Sequence, residues 1–205
     1  MTRLWIALSV ALAASALPAR AGNRLVNSDF GSDLSGWDEA GAWSSADFAG
    51  ELESGSLRLA DTIASDTVLA RQCVSPASPG SVFDASTRVR VAPGQSAGAV
   101  RFAVVFWDTI DCSAPTDNDA VGYNLSSAAP ATGTWALLAL TDLSAPALTQ
   151  AVEMQLLVTL GGGGGSLEGF FDHVFLPEPG SVLSATWALV GLAALARAQR
   201  VRPGR

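Results

Sequence analysis

Between residues 82 and 91 apolar and polar side chains alternate. Phe83, Ala85, Thr87, Val89 and Val91 fall on one face, and Asp84, Ser86, Arg88 and Arg90 on the other. A period of two predicts a half-buried β-strand. Residues 99–107, AVRFAVVFW, are almost wholly apolar and suit a central strand. Further strands are predicted at 56–60, 67–74, 120–126, 134–140, 151–160 and 167–176. Turn-forming residues separate them at 75–80, 93–95 and 129–133. Eight or more short strands at this spacing predict an all-β fold, an antiparallel β-sandwich. The glycine run at 161–165 reads as a flexible hairpin connection. No lysine follows it, and no helix N-terminus is predicted on which a phosphate would sit.

The two ends of the chain break this pattern. Arg3, the apolar run 4–17 and the small residues Ala19 and Ala21 read as a signal peptide over 1–21, cleaved after Ala21. Near the other end, residues 180–196 carry no charge over seventeen positions. As a helix they would extend about 25 Å, slightly short of a ~30 Å hydrocarbon core. Leu, Val, Ala and Trp surround this helix on all sides, which favours a membrane over a one-sided core contact. Arg197, Arg200, Arg202 and Arg205 follow with no acidic residue, so the tail belongs on the cytoplasmic side. Pro177, Glu178, Pro179 and Gly180 precede the apolar segment. Their two prolines predict an extended, exposed stretch.

An accessible Pro-Glu-Pro motif (177–180), a short transmembrane helix (181–196) and a basic tail (197–205), in that order, resemble the PEP-CTERM sorting signal of Gram-negative bacteria. The resemblance covers about thirty residues. It implies recognition by an exosortase-type membrane enzyme through Pro177, Glu178 and Pro179. It also implies temporary anchoring in the membrane, followed by release or attachment at the cell surface or in an exopolysaccharide matrix. The working domain is then residues 22–176.

Charge narrows the choice of partner. All nineteen acidic residues lie between the two ends, with only six of the twelve arginines, and the chain has no lysine. That balance, a net charge of −13 for the middle, excludes nucleic acid or anionic lipid as a bulk electrostatic partner. Two cysteines in an exported chain, Cys73 and Cys112, predict a disulfide. The chain shows no G-x-S-x-G or H-E-x-x-H motif and no pair of carboxylates marked as acid and nucleophile, so no enzyme is expected. His173, the single histidine, reads as a surface residue on an edge strand rather than a general base.

The middle opens with Asn23-Arg24-Leu25-Val26-Asn27-Ser28-Asp29-Phe30 and Leu34-Ser35-Gly36-Trp37. It closes with Gly169-Phe170-Phe171-Asp172-His173-Val174-Phe175-Leu176. These motifs resemble the carbohydrate-binding-module-like, galactose-binding-like jelly roll. The resemblance implies that first and last segments pair. It also implies a structural calcium near Asp172, although Gly31 stands where an acidic residue is expected; Asp29 and Asp33 are the substitutes. Asp108, Asp111, Asp117 and Asp119 read as a solvated acidic loop. Of the four tryptophans in the middle, Trp37 and Trp107 are expected in the core. Trp43 and Trp135 are candidate platforms for a sugar ring. Two functions remain open: a structural or adhesive envelope protein, and a carbohydrate-binding module that holds exopolysaccharide.

Overall fold

The computed structural model describes residues 22–39, 41–51, 54–64, 67–113, 120–177 and 179. The predicted signal peptide, Glu178, the apolar segment 181–196 and the basic tail with Arg197 and Arg200 lie outside the described residues, as do Asp117 and Asp119. Among the described residues no helix is long and apolar enough to cross a membrane.

Ten strands form two antiparallel sheets. They are β1 (Asp38–Glu39), β2 (Ala42–Ser44), β3 (Ser56–Asp61), β4 (Thr67–Val74), β5 (Val82–Arg90), β6 (Gly98–Trp107), β7 (Ala120–Leu125), β8 (Trp135–Ser144), β9 (Ala151–Leu160) and β10 (Leu167–Phe175). The first sheet runs β1-β4-β9-β6-β7 and the second β2-β3-β10-β5-β8. The fold is therefore an all-β sandwich. Eight strands fall where the hydrophobic pattern places them. The short edge strands β1 and β2 do not appear in that pattern, because neither is long enough to show an alternation and neither contributes to the core.

The alternation in β5 is realised as predicted: Phe83, Ala85, Thr87 and Val89 are buried and their neighbours are not. Facing them across the core are Phe102, Val104 and Phe106 of β6 and Val152, Met154, Leu156 and Val158 of β9. The rings of Phe83 and Phe106 meet at 5.8 Å between the two layers. Gly169 of β10 permits the sheets to come close, because a Cβ there would lie 2.5 Å from Cγ1 of Val100. Buried polar groups serve as ties. Asp61, at the end of β3, accepts the Leu160 amide of β9 (2.9 Å) and so links the two sheets.

The last strand is not at an edge. β10 lies between β3 and β5, in the middle of its sheet, because the alternating face of Phe171 and Val174 must reach the core between two partners. The glycine run is likewise not a hairpin. β9 and β10 belong to different sheets, and the run is the corner between them. The first and last segments do pair: Asn23 forms an antiparallel bridge with Pro177, and the Arg24 amide donates to the Leu176 carbonyl (2.9 Å). Asn23 strengthens this clasp, donating to the Val174 carbonyl (2.7 Å) and accepting the Leu176 amide (3.0 Å). Pro177 is therefore paired and half-buried rather than free. Cys73 and Cys112 form the predicted disulfide. With 39 residues of separation, it restricts the unfolded chain by about 4 kcal/mol in the loop-entropy account.

Candidate functional site

β9 is the centre of the first sheet. Its inner residues are apolar, but its outer face carries Glu153 and Gln155. The register fixes what surrounds them. Glu153 lies opposite Cys73 of β4 and Val105 of β6, and Val105 lies opposite Tyr123 of β7. Gln155 lies opposite Arg71 and Ala103, and Arg71 lies opposite Asp38 of β1. The outer face is thus a floor of small residues, Ala103, Val105 and Ala151, bordered by polar and aromatic side chains. All three floor residues are buried.

The disulfide builds the wall. It draws Cys112 over the end of β6, where Val105, Trp107, Cys112 and Ala151 make a second, smaller apolar cluster outside the main core. Trp107 is buried as expected, but in this outer cluster rather than between the sheets. The result is a cleft of about 460 Å³ with Asp38, Arg71, Trp107, Asp111, Ser113 and Glu153 among its lining residues. Tyr123, 54% exposed, stands further along the same face. At about 4.8 Å per strand, it is roughly 10 Å from the Glu153 backbone.

The polar groups are positioned but not all satisfied. Arg71 Nε donates to Asp38 Oδ2 at 3.0 Å, an exposed pair of small energetic weight. Asp111 accepts the Ser113 hydroxyl (2.6 Å) and amide (3.2 Å), which hold its carboxyl below its usual value. Glu153 is 2% exposed; burial pushes its carboxyl up, opposed by a hydrogen bond from the Gln155 amide and by the Arg71 charge. Among the described residues the Trp107 indole N–H and the Arg101 Nε are buried with no hydrogen-bond partner. Buried donors are rarely left so, and a ligand oxygen is one way to satisfy them.

The tryptophans singled out from sequence lie elsewhere. Trp37 is buried in the main core. Trp43 turns its indole inward at the edge of the second sheet and donates to the Phe30 carbonyl (2.8 Å), with 40% of the residue exposed. Trp135 is half-buried on the outer face of that second sheet, edge-on to Phe48. Neither borders the cleft. Glu153, Gln155, Arg71 and Tyr123 do not stand out in the sequence as site residues. The signal for Glu153 and Gln155 is a carboxylate and an amide two positions apart inside the otherwise apolar run 151–160; Arg71 and Tyr123 carry no comparable signal.

Asp172 lies in a different place, at the bulge of β10, and is fully buried. Its oxygens accept the amides of Phe48 (2.8 Å) and His173 (2.6 Å), yet burial pushes its carboxyl up to about 6. The Asp47 carboxyl lies against it and has a buried, unpartnered Oδ1. Ligand atoms of Asp29, Asp172 and His173 all lie within 4.8 Å of one another. Asp33 is tied instead to Ser35 and Asn27. Two touching carboxyl groups need a shared proton or a cation between them. Asp29 and Asp172 supply oxygen donors that suit a hard cation such as calcium, Asp47 touches Asp172, and the His173 nitrogen is the poorer ligand of the group.

No family profile and no curated protein sequence matches this chain. The fold is similar to that of solved structures. One is the enzymatically active domain of tailspike protein 4 of bacteriophage CBA120, with a TM-score of 0.55 and 16% identity over 76% of this chain and 21% of that one. Another is an arabinose-bound α-L-arabinofuranosidase, MgGH51, with a TM-score of 0.54 and 14% identity over 78% of this chain and 26% of that one. A third is the CBM22-1 xylan-binding domain of a Paenibacillus barcinonensis protein, with a TM-score of 0.52 and 16% identity over 78% of this chain and 96% of that one. The chain spans about a fifth and about a quarter of the first two proteins, but nearly all of the third. At these identities the likeness establishes the sandwich fold.

The buried Glu153 gives a test by pH. A raised carboxyl pKa means that the native state holds its proton more tightly. The stability this contributes is complete below the ordinary value of 4.5 and is lost as pH rises through the native value. Glu153→Gln is therefore expected to melt above the wild type at pH 7 and level with it at pH 4. A variant that melts lower at both pH values would show that the charged carboxylate is a net stabiliser.

Proposed function

We propose that this chain is an exported carbohydrate-binding protein whose first sheet holds a glycan along its outer face. The supporting observation is the outer face of that sheet: a cleft lined by Asp38, Arg71, Trp107 and Glu153, with Gln155, the buried Arg101 donor and the exposed Tyr123 ring further along the same face. Sugar binding asks for this combination. An aromatic face covers the apolar side of a pyranose, and planar donors and acceptors read its hydroxyls. The role is binding and not catalysis. Among the described residues of the cleft Asp38 is engaged by Arg71, Asp111 by Ser113 and Glu153 by Gln155, which favours a holding role for these carboxyls. A protein that holds exopolysaccharide in this way is also an adhesive element of the envelope, so the two sequence-level functions converge. The likeness to a xylan-binding domain supports the same reading.

Delivery follows from the ends. The signal peptide 1–21 exports the chain, and the PEP-CTERM-like segment 177–205 passes it to an exosortase-type enzyme at the membrane. Asp29 and Asp172, with Asp47 against Asp172, hold a structural calcium, which fastens the loop after β2 to the last strand.

Three measurements test these statements. In affinity electrophoresis against neutral polysaccharides including xylan, the domain is expected to be retarded by at least one, and Tyr123→Ala to weaken that retardation about tenfold, the scale of one lost aromatic contact. No retardation by any glycan, or retardation indifferent to Tyr123, would refute the cleft. Calcium at about a hundredfold over its dissociation constant stabilises by ~2.7 kcal/mol, a shift of several degrees in Tm. The shift should be absent in Asp172→Asn, and equal melting in calcium and EDTA would exclude the ion. Intact mass of the protein from its host is expected to begin near Gly22 and end near Pro179. A mass retaining residues 180–205 would make the C-terminal segment a permanent anchor.

A further inference from the structure

The second sheet also has an outer face, and its chemistry differs from that of the cleft. A single row crosses all five strands: Ala42, Arg58, Phe170, Arg90 and Trp135 lie opposite one another in register. Arg88 sits two residues before Arg90 on the same face, about 7 Å away along the strand. Both guanidinium groups are held by rings. Arg90 Cζ lies 4.5 Å from the Phe170 centroid and 5.3 Å from that of Trp135, and Arg88 Cζ lies 4.3 Å from Phe48. Arg58 on the same face is neutralised by Glu168 (2.5 Å). Arg88 and Arg90 are not: among the described residues neither side chain donates a hydrogen bond or forms an ion pair. Beside Arg88 a hollow of about 380 Å³ opens between Ser86, Leu137 and Phe175, with Asp29 and His173 on its far side.

In a domain with eighteen carboxylates and six arginines, two adjacent guanidinium groups without an acidic partner among the described residues are an unusual arrangement. A ring stacked on the flat face of a guanidinium fixes its plane and leaves its edge N–H groups directed outward, in the fork that matches a carboxylate. The neighbouring exposed apolar surface, Phe48, Leu137 and Phe175, suits the ring of a sugar rather than a small free acid. We propose that Arg88 and Arg90 form a second glycan site, on the sheet opposite the cleft, selective for a sugar that carries a carboxylate, a uronic acid residue. A chain with one neutral and one uronate site on opposite faces would link two polysaccharides. This site does not depend on the cleft, and either can fail alone.

The test is an NMR titration of the intact 22–177 domain with trigalacturonate, with xylotriose and acetate as controls. Trigalacturonate is expected to shift the amides of Phe48, Arg88 and Arg90 and the Trp135 indole. Arg88→Gln/Arg90→Gln is expected to weaken that binding at least about tenfold, the loss of two charge-assisted contacts, without altering neutral-sugar binding. Raising salt from about 0.05 to about 0.5 M should weaken it too. Arg90→Lys keeps the charge but not the fork, and should also lose affinity if the double variant proves poorly folded. The proposal is overturned if the shifts map to Arg71 and Tyr123, if acetate binds as well as trigalacturonate, or if none shifts these residues. It is equally overturned if the wild type self-associates through this face and the double variant does not, since the arginines would then serve an acidic surface of a second copy.

Discussion

The structure depends on the face-to-face packing of its last two strands. β9 and β10 are each the central strand of a sheet, and the glycine run carries the chain from one layer to the other. Met154, Leu156 and Val158 of one press toward Phe171 of the other, and Gly169 allows the approach. Neither sheet is continuous without its central strand: β4 would have no link to β6, nor β3 to β5. Most pairings are long-range, so this sandwich should fold slowly and as a unit. It also means that residues 151–175 set the register of both outer faces at once.

The two outer faces carry the candidate sites, and the inner core explains their character. A strand that must present apolar residues inward every second position is free to present anything outward. β9 uses that freedom for Glu153 and Gln155, and β5 for Arg88 and Arg90. The disulfide adds a wall where the sheet alone would be flat. By drawing Cys112 over Trp107 it buries an apolar cluster outside the core and turns part of a surface into a cleft.

How far the sequence revealed this follows from the same physics. The alternation in residues 82–91 and the apolar run 99–107 identify strands, because burial enforces a period on side chains. The period does not say which strands are neighbours. Thus β10 reads as an edge strand and the 161–165 run as a hairpin, although the topology makes one central and the other a corner. The clasp of Asn23 with Leu176 follows the motifs at the two ends of the domain, and the disulfide follows from the even cysteine count. The cleft was less legible. Trp43 and Trp135 stand out as tryptophans, but ring size does not show which way a side chain points. Arg71, Glu153 and Tyr123 come from three strands, 30 or more residues apart, and only register joins them.

Net charge and local charge then describe different things in this molecule. The excess of carboxylates governs interactions beyond a Debye length of about 8 Å, and there the domain repels polyanions and stays soluble. Inside that distance what counts is which groups are already paired. Arg58 and Arg71 are spent on Glu168 and Asp38, and Asp172 is turned inward. A carboxylate brought to Arg88 and Arg90 would meet two guanidinium groups held over aromatic rings and free of an acidic partner among the described residues. A long, densely charged chain would meet the whole acidic surface as well. An acidic domain can therefore reject nucleic acid and still hold a sparsely charged glycan, and sparse charge is the property that separates the two.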